Sequence, residues 1–167
     1  MYSEKFEKAF EYMLSNEGGY VFDKNDPGGE TKYGISKKSY PALNIKTLTR
    51  SEAKKIYYCD YWLKGNFDKI SDQIVATQVF DLSVNLGIRA STIVLQRALR
   101  SCDKLVAEDG LIGSETLSAV SNSDPNILLA AIKSEAAGYY RLIATKNPSQ
   151  KKFLNGWLNR AYRKIVL

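Results

Sequence analysis

Histidine is absent from the 167-residue sequence. Its absence excludes Ser-His-Asp and Cys-His nucleophile pairs, zinc sites built on histidine, and any imidazole acid or base. Catalytic chemistry would therefore have to come from carboxylates, lysine, tyrosine or hydroxyl groups. The sequence implies no metal ion and no organic cofactor.

Cysteine is nearly absent as well. Cys59 and Cys102 are far apart, and neither belongs to a CxxC motif. This arrangement supports neither a metal-binding knuckle nor a disulfide scaffold. We expect two buried free thiols.

Long apolar runs are also missing. The longest uncharged apolar stretch, residues 127–132, is far too short to span a bilayer. Charged side chains in the first residues interrupt the segment where a signal peptide would need an apolar core. We therefore expect no integral membrane segment, synthesis in the cytoplasm without a signal peptide, and action outside only after release or export by another route.

Basic side chains outnumber acidic ones, 24 to 18, and residues 141–167 contain seven basic residues and no acid. Such a surface attracts polyanions, whether nucleic acid, acidic lipid or cell-wall polymer. No nucleic-acid-binding motif is present, so we expect no nucleic-acid partner. With 44% hydrophobic and 25% charged residues, the composition is that of one globular domain.

Apolar spacing predicts a first helix that begins after Ser3 and ends before Gly18. Residues 20–22 and 31–35 then lie on either side of Asp26-Pro-Gly-Gly29, a pattern typical of two short strands around a turn. The sequence therefore predicts a small β-hairpin directly after the first helix.

The remaining pattern is helical. A capping box, Thr49-Arg-Ser-Glu52, predicts a helix that extends to Trp62. The next helix, over 74–86, is apolar on nearly all sides and is expected to be the central buried helix. Cap-then-proline pairs at 124–125 and 147–148 predict two further long helices, over 126–146 and 149–165.

The last of these helices is amphipathic. Its apolar face includes Trp157 and is expected to dock on the core, while Arg160 and Arg163 lie mostly off that face.

Glu17 continues the buried face of the first helix at its C-terminal end. Partial burial disfavours the carboxylate, and so does the negative end of the helix dipole, so both effects should raise the pKa of this carboxyl group. A carboxyl group that stays protonated near neutral pH is suited to be a general acid. The alternative is an ordinary helix-end residue bonded to the following turn.

The predicted hairpin adds polar groups beside this acid. Asp26 could supply a second carboxylate, although an aspartate before Pro-Gly-Gly is also a common turn residue. Thr31 and Tyr33 alternate onto one face of the predicted returning strand. Tyr20 and Tyr33 are the best candidates for contacts with sugar rings.

A polar stripe formed by Gln78, Asp81 and Asn85 runs along the central helix at positions i, i+3 and i+7. Buried polar groups are costly unless they are paired. The stripe is therefore expected to line a wet cleft and bind substrate, with an internal polar network as the alternative.

Three segments of the first half carry a family pattern: Glu17-Gly-Gly-Tyr20, Asp26-Pro-Gly-Gly-Glu-Thr-Lys-Tyr-Gly-Ile-Ser36 and Phe80-Asp-Leu-Ser-Val-Asn-Leu-Gly87. Together they resemble glycoside hydrolase family 108, the N-acetylmuramidases of bacteria and phages, some described as secretion activators. Leu95-Gln-Arg-Ala-Leu99 and Asp109-Gly-Leu-Ile-Gly-Ser-Glu-Thr-Leu117 are similar to the peptidoglycan-binding segment that often completes such chains.

The resemblance implies a mainly α, lysozyme-like single domain over 1–167, with helices around a central buried helix and one small hairpin. Residues 1–88 would form its catalytic segment and 89–167 its peptidoglycan-binding helical segment. It also implies that Glu17 is the catalytic acid. Phage-type lysozymes place an acidic residue and a threonine after this glutamate, which adds Asp26 and Thr31, the latter one position earlier than in that pattern.

Wall amidases and peptidases usually need histidine-bound zinc or a Cys-His pair, whereas glycan cleavage needs only carboxyl groups. We therefore expect a monomeric N-acetylmuramidase that cleaves peptidoglycan glycan strands between N-acetylmuramic acid and N-acetylglucosamine. The alternatives are a lytic transglycosylase with the same acid and a non-catalytic wall-binding or secretion-assisting protein.

Overall fold

The computed structural model describes residues 2–15, 21–22 and 30–167. Three short strands and seven α-helices lie in this part of the chain. The strands are β1 (Val21–Phe22), β2 (Glu30–Lys32) and β3 (Ile35–Ser36), and the helices are α1 (Glu4–Leu14), α2 (Arg50–Tyr57), α3 (Gln73–Leu86), α4 (Ile88–Ser101), α5 (Ser114–Ser121), α6 (Pro125–Lys146) and α7 (Leu154–Tyr162).

Helix α1 begins as the sequence predicts. The Ser3 hydroxyl accepts a hydrogen bond from the backbone N–H of Phe6, which satisfies one of the free donors of the first turn. Phe6, Phe10 and Met13 are fully buried. The spacing of these apolar residues therefore directs one face of α1 into the core.

The hairpin exists but has a third strand. β1 pairs antiparallel with β2, and β2 pairs antiparallel with β3. The segment expected as one strand over 31–35 is divided by Tyr33 and Gly34, which have positive φ angles of 53° and 77°. Two consecutive positive φ values are typical of the tight two-residue turn that connects the strands of a β-hairpin.

The capping box of α2 is confirmed, since the Thr49 hydroxyl and the Glu52 carboxylate each accept the other residue's backbone N–H. Regular α-helix ends at Tyr57, and a π-helical segment, Tyr58–Leu63, follows. Tyr57 and Trp62 are both buried although they are five residues apart. The wider π turn brings residues at this spacing onto one face.

Helix α3 is the central helix of the fold. Its N-cap is Asp72, whose carboxylate accepts the backbone N–H of Val75, and every residue from 75 to 83 is buried. It packs against α1, α4 and α6. The prediction of a mainly helical, lysozyme-like body around one buried helix is confirmed.

Helix α6 begins at the predicted Asp124-Pro125 cap. The helix predicted over 149–165 starts instead as a 3-10 helix, Pro148–Phe153, and continues as α7. None of the residues of the 3-10 segment is buried, so no packing face favours the α form there.

In the second half, Gln96 connects the two motifs noted in the sequence. Its side-chain oxygen accepts the backbone N–H of Gly110 at 2.9 Å, and its Nε2 donates to the Asp109 carboxylate at 2.7 Å. This buried amide fixes the turn before α5.

Both cysteines are free, but Cys59 is exposed and Cys102 is half-buried, so the expected burial of both thiols is wrong. Tyr57 at the end of α2 and Trp62 in the π-helical segment occupy the core positions, and Cys59 between them is left toward solvent. Among the described helices, none combines the length and apolar character needed to cross a membrane.

Candidate functional site

Three of the predicted site residues, Glu17, Tyr20 and Asp26, lie outside the described residues. The other five lie in two groups. Thr31 and Tyr33 lie on or beside β2, and the polar stripe Gln78, Asp81 and Asn85 lies on α3.

Thr31 is the middle residue of β2, opposite Val21 on one side and Ser36 on the other. It is half-buried. Tyr33 belongs to the turn after the strand, and its carbonyl accepts a hydrogen bond of 2.9 Å from the Tyr57 hydroxyl. The sheet is therefore anchored to α2 beside the core.

The α3 stripe has both buried and exposed members. Gln78 and Asp81 have no solvent exposure, whereas Asn85 is exposed. Asp81 forms an internal ion pair: its two carboxylate oxygens accept from Nε and Nη2 of Arg160 at 3.0 and 2.9 Å. Two parallel hydrogen bonds are the strongest geometry for this pair of groups.

Gln78 has no hydrogen-bond partner for either polar atom of its amide within the described part of the chain. A buried amide without partners costs free energy, since it has lost water and gained no bond. The stripe thus includes a polar group with unused hydrogen-bonding capacity.

Asn85 connects the end of α3 to α6 and α7. Its side-chain oxygen accepts a 3.0 Å hydrogen bond from the Tyr140 hydroxyl, and burial raises the pKa of that hydroxyl. Tyr140 stacks on Trp157, with ring centroids 5.4 Å apart and an interplanar angle of 23°. Asn85 is therefore held at one end of a small aromatic stack.

A groove of about 340 Å³ opens beside this stack, and we call it the α7 groove. It lies between the end of α3 and α7. Its lining residues are Asn85, Gly156, Trp157, Asn159, Arg160 and Arg163.

A second groove, of about 510 Å³, runs between α1 and the C-terminal residues. Its lining includes Tyr12 and Ser15 of the first helical segment, and Arg163 lines both grooves. Ser15 is two residues before Glu17 in the sequence. Arg163 is thus shared between the α7 groove and the surface at the end of α1.

The sequence analysis did not assign Arg160, Arg163 or Trp157 to a site. A sequence signal for Arg160 existed, because a carboxylate on a buried helix needs a cation and the acid-free segment 141–167 is rich in them. Aromatic faces, amides and guanidinium groups together suit a ligand that carries sugar rings and anionic groups.

The mainly helical body with a small sheet after its first helix defines a lysozyme-like protein. The family described as glycosyl hydrolase 108 matches residues 10–87, and the family described as predicted peptidoglycan domain matches residues 89–162. The resemblance of the first half of the chain to glycosyl hydrolase family 108 is therefore confirmed.

Twelve chains of solved structures match significantly. One is the structure of Brucella abortus SagA, with 26% sequence identity, a TM-score of 0.71, and coverage of 93% of this chain and 92% of that chain. A search of curated proteins gives no significant match. The two family matches support a glycoside hydrolase whose substrate is peptidoglycan.

Proposed function

We propose that this protein is an N-acetylmuramidase that hydrolyses the bond between N-acetylmuramic acid and N-acetylglucosamine, with Glu17 as general acid. The observation that carries the proposal is the glycosyl hydrolase 108 match over 10–87. That range contains Glu17 and Asp26, and glycoside hydrolysis needs carboxyl groups and no histidine.

In the proposed step, the Glu17 carboxyl group donates its proton to the glycosidic oxygen as the bond to the anomeric carbon breaks. The oxocarbenium-like positive charge is stabilised by Asp26 or by the substrate itself. Water attacks the anomeric carbon, gives its proton to one of the two carboxylates, Glu17 or Asp26, and leaves a reducing muramic end.

The second half of the chain is proposed to hold the glycan while the first half cleaves it. The match to the predicted peptidoglycan domain over 89–162 supports this division. The α7 groove includes Asn85 from the first family range and Trp157 from the second, so a ligand in it would contact both segments.

The deciding experiment is digestion of purified peptidoglycan followed by mass analysis of the fragments, with wild type and Glu17→Gln compared. The amide is nearly isosteric with the carboxyl group but cannot deliver a proton. We expect the variant to fold normally and to lose about two to four orders of magnitude in rate. Lysis by Glu17→Gln at the wild-type rate would remove Glu17 from this role.

The same digests identify the reaction. Hydrolysis adds one water, whereas a transglycosylase forms an anhydro-muramic end that is lighter by that water. We expect reducing ends as the main product, because a second carboxylate can activate a water molecule or act as the nucleophile. For the same reason, we expect a large loss of rate in Asp26→Asn. Anhydro ends as the main product would establish the transglycosylase instead.

A further inference from the structure

Among the described residues, no carboxylate neutralises the guanidinium group of Arg163 in the α7 groove. Arg160 is paired with Asp81, but within the described residues no Asp or Glu oxygen lies within ion-pair distance of Arg163. Its side chain is held nearby, since its guanidinium lies over the Tyr12 ring, 5.7 Å from the centroid. Its backbone carbonyl accepts from Nζ of Lys133 at 3.0 Å.

The acidic residues of the adjoining groove do not cancel this charge. Glu7 and Glu11 line that groove, but Glu7 is paired with Lys54 and Glu11 with Arg50. The described side chains around Arg163 therefore carry excess positive charge where the two grooves meet.

The other lining residues suit a sugar. Trp157 stacks one face on Tyr140 and is half-buried, so part of the indole lies at the groove wall. Asn85 and Asn159 are exposed and present amides. A side chain added at Gly156 would extend into open space, since its Cβ would have no atom within 4 Å.

We propose that the α7 groove binds a muramic-acid unit of peptidoglycan, with Arg163 paired to a carboxylate carried by that unit and Trp157 packed against its sugar ring. The proposal rests on the proposed function for its choice of glycan. Guanidinium binds carboxylate through two parallel hydrogen bonds. The carboxylate is either the lactyl group itself, where the peptide has been removed, or a carboxylate of the attached peptide.

The test measures binding to three soluble fragments of equal sugar length by calorimetry, in the Glu17→Gln background so that nothing is cleaved. The first fragment carries peptides, the second has free lactyl carboxylates after the peptides are removed, and the third is a neutral chitin oligomer. We expect the chain to bind one or both anionic fragments more tightly than the neutral one. The stronger of the two anionic fragments identifies the source of the carboxylate.

Arg163→Gln is expected to weaken binding of the preferred anionic fragment about tenfold and to leave binding of the neutral fragment unchanged. Arg163→Lys should recover part of the loss, because it restores the charge but not the planar pair of donors. Lys146→Gln is the charge-matched control, since Lys146 is exposed and lines neither groove.

Gly156→Trp tests the groove by filling it. We expect it to weaken binding of all three fragments. Gly138→Trp is the size-matched control, because Gly138 is exposed on α6 and its Cβ would also meet no atom within 4 Å. Thermal unfolding of every variant checks that the fold is retained.

Two results would overturn the proposal: equal weakening of anionic and neutral fragments by Arg163→Gln, or full binding by Gly156→Trp. Failure of the proposed function looks different. In that case wild-type protein leaves peptidoglycan uncleaved, whatever the binding data on Arg163 show.

Discussion

At the scale of single residues, the ion pair between Asp81 and Arg160 has a large desolvation cost. Asp81 is fully buried on α3, and Arg160 reaches it from α7, 79 residues later. Removing two charges from water is expensive, and their attraction offsets this cost only with good geometry and further hydrogen bonds. The bidentate contact and an additional bond of 3.4 Å from Arg160 to the Asp81 carbonyl meet that condition.

Arg160→Met is therefore expected to destabilise the protein by about 3 kcal/mol or more, because it removes the paired cation from a buried carboxylate. Urea unfolding measures the change. Arg97→Met is the control: its pair with Glu108 is partly exposed, so its loss should cost less than about 1 kcal/mol. Equal losses in the two variants would contradict this account of the buried pair.

A second residue-scale prediction concerns acid. The Asp109 carboxylate accepts from the Gln96 amide and from the backbone N–H of Leu111, and these bonds lower its pKa. A carboxyl group with a lowered pKa in the folded state contributes stability above its unfolded-state pKa. That stability is lost as pH falls through the folded-state value.

Asp109→Asn should accordingly reduce the loss of thermal stability between neutral pH and the acid range in which aspartate is protonated. Thermal unfolding at several pH values measures this dependence. Asp103→Asn removes the same charge from an exposed position nearby and serves as control. A pH dependence unchanged from wild type in Asp109→Asn would show that these hydrogen bonds do not control it.

Residue types of the candidate site were predictable, but their partners were not. The apolar pattern of α3 placed Asp81 as a polar residue on a buried helix. Of the two predicted arrangements, the wet cleft and the internal polar network, Asp81 forms the internal network. Arg160 could not be chosen from seven basic residues, because side-chain pairing across 79 positions leaves no local pattern. The predicted roles of Glu17, Tyr20 and Asp26 remain predictions.

At the scale of elements, the starts of α1, α2 and α6 were predictable because side-chain caps are local. Ser3, Thr49 and Asp124 each cap a helix with the side chain that the sequence suggested. The π-helical segment after α2, the 3-10 segment before α7 and the turn within 31–35 were missed. Each of these depends on tertiary packing or on unusual backbone angles rather than on apolar spacing.

Two glycines give element-scale predictions, and substitution by alanine is expected to change the free energy of unfolding in opposite directions at the two positions. Gly156 lies within α7 with open space around its Cβ, so Gly156→Ala should stabilise the protein by about 0.5–1 kcal/mol. Gly87 joins α3 to α4 with φ 85° and ψ 156°, a region restricted to glycine, and Gly87→Ala should destabilise by about 1–3 kcal/mol.

Urea unfolding of the two variants checks both signs. Gly87 has no atom within 4 Å of an added Cβ, so a loss there isolates backbone strain from steric contact. A stabilising Gly87→Ala would contradict the backbone argument.

At the scale of the whole molecule, the two family ranges share one core. α3, from the first range, packs against α4 and α6 of the second as well as against α1. The Asp81–Arg160 pair and the Asn85–Tyr140 hydrogen bond also connect the two ranges. Division of the chain into 1–88 and 89–167 therefore separates functional segments that we expect to fold as a unit.

The two tryptophans allow this unity to be measured, since one lies in each range. Trp62 is fully buried against Phe6, Phe67 and Phe80, and Trp157 stacks on Tyr140. Trp157→Phe leaves tryptophan fluorescence from the first range alone, and Trp62→Phe leaves it from the second. Within each variant, urea unfolding is followed by fluorescence and by far-ultraviolet circular dichroism.

We expect the two signals to coincide in both variants, because an interface that includes the central helix cannot be lost by one range alone. The comparison is made inside each variant, so any destabilisation caused by the substitution itself shifts both signals together. A fluorescence midpoint clearly below the circular dichroism midpoint in one variant would mean that this range unfolds first. The ranges would then be separate folding units, and the shared groove at α7 would open before the rest of the molecule.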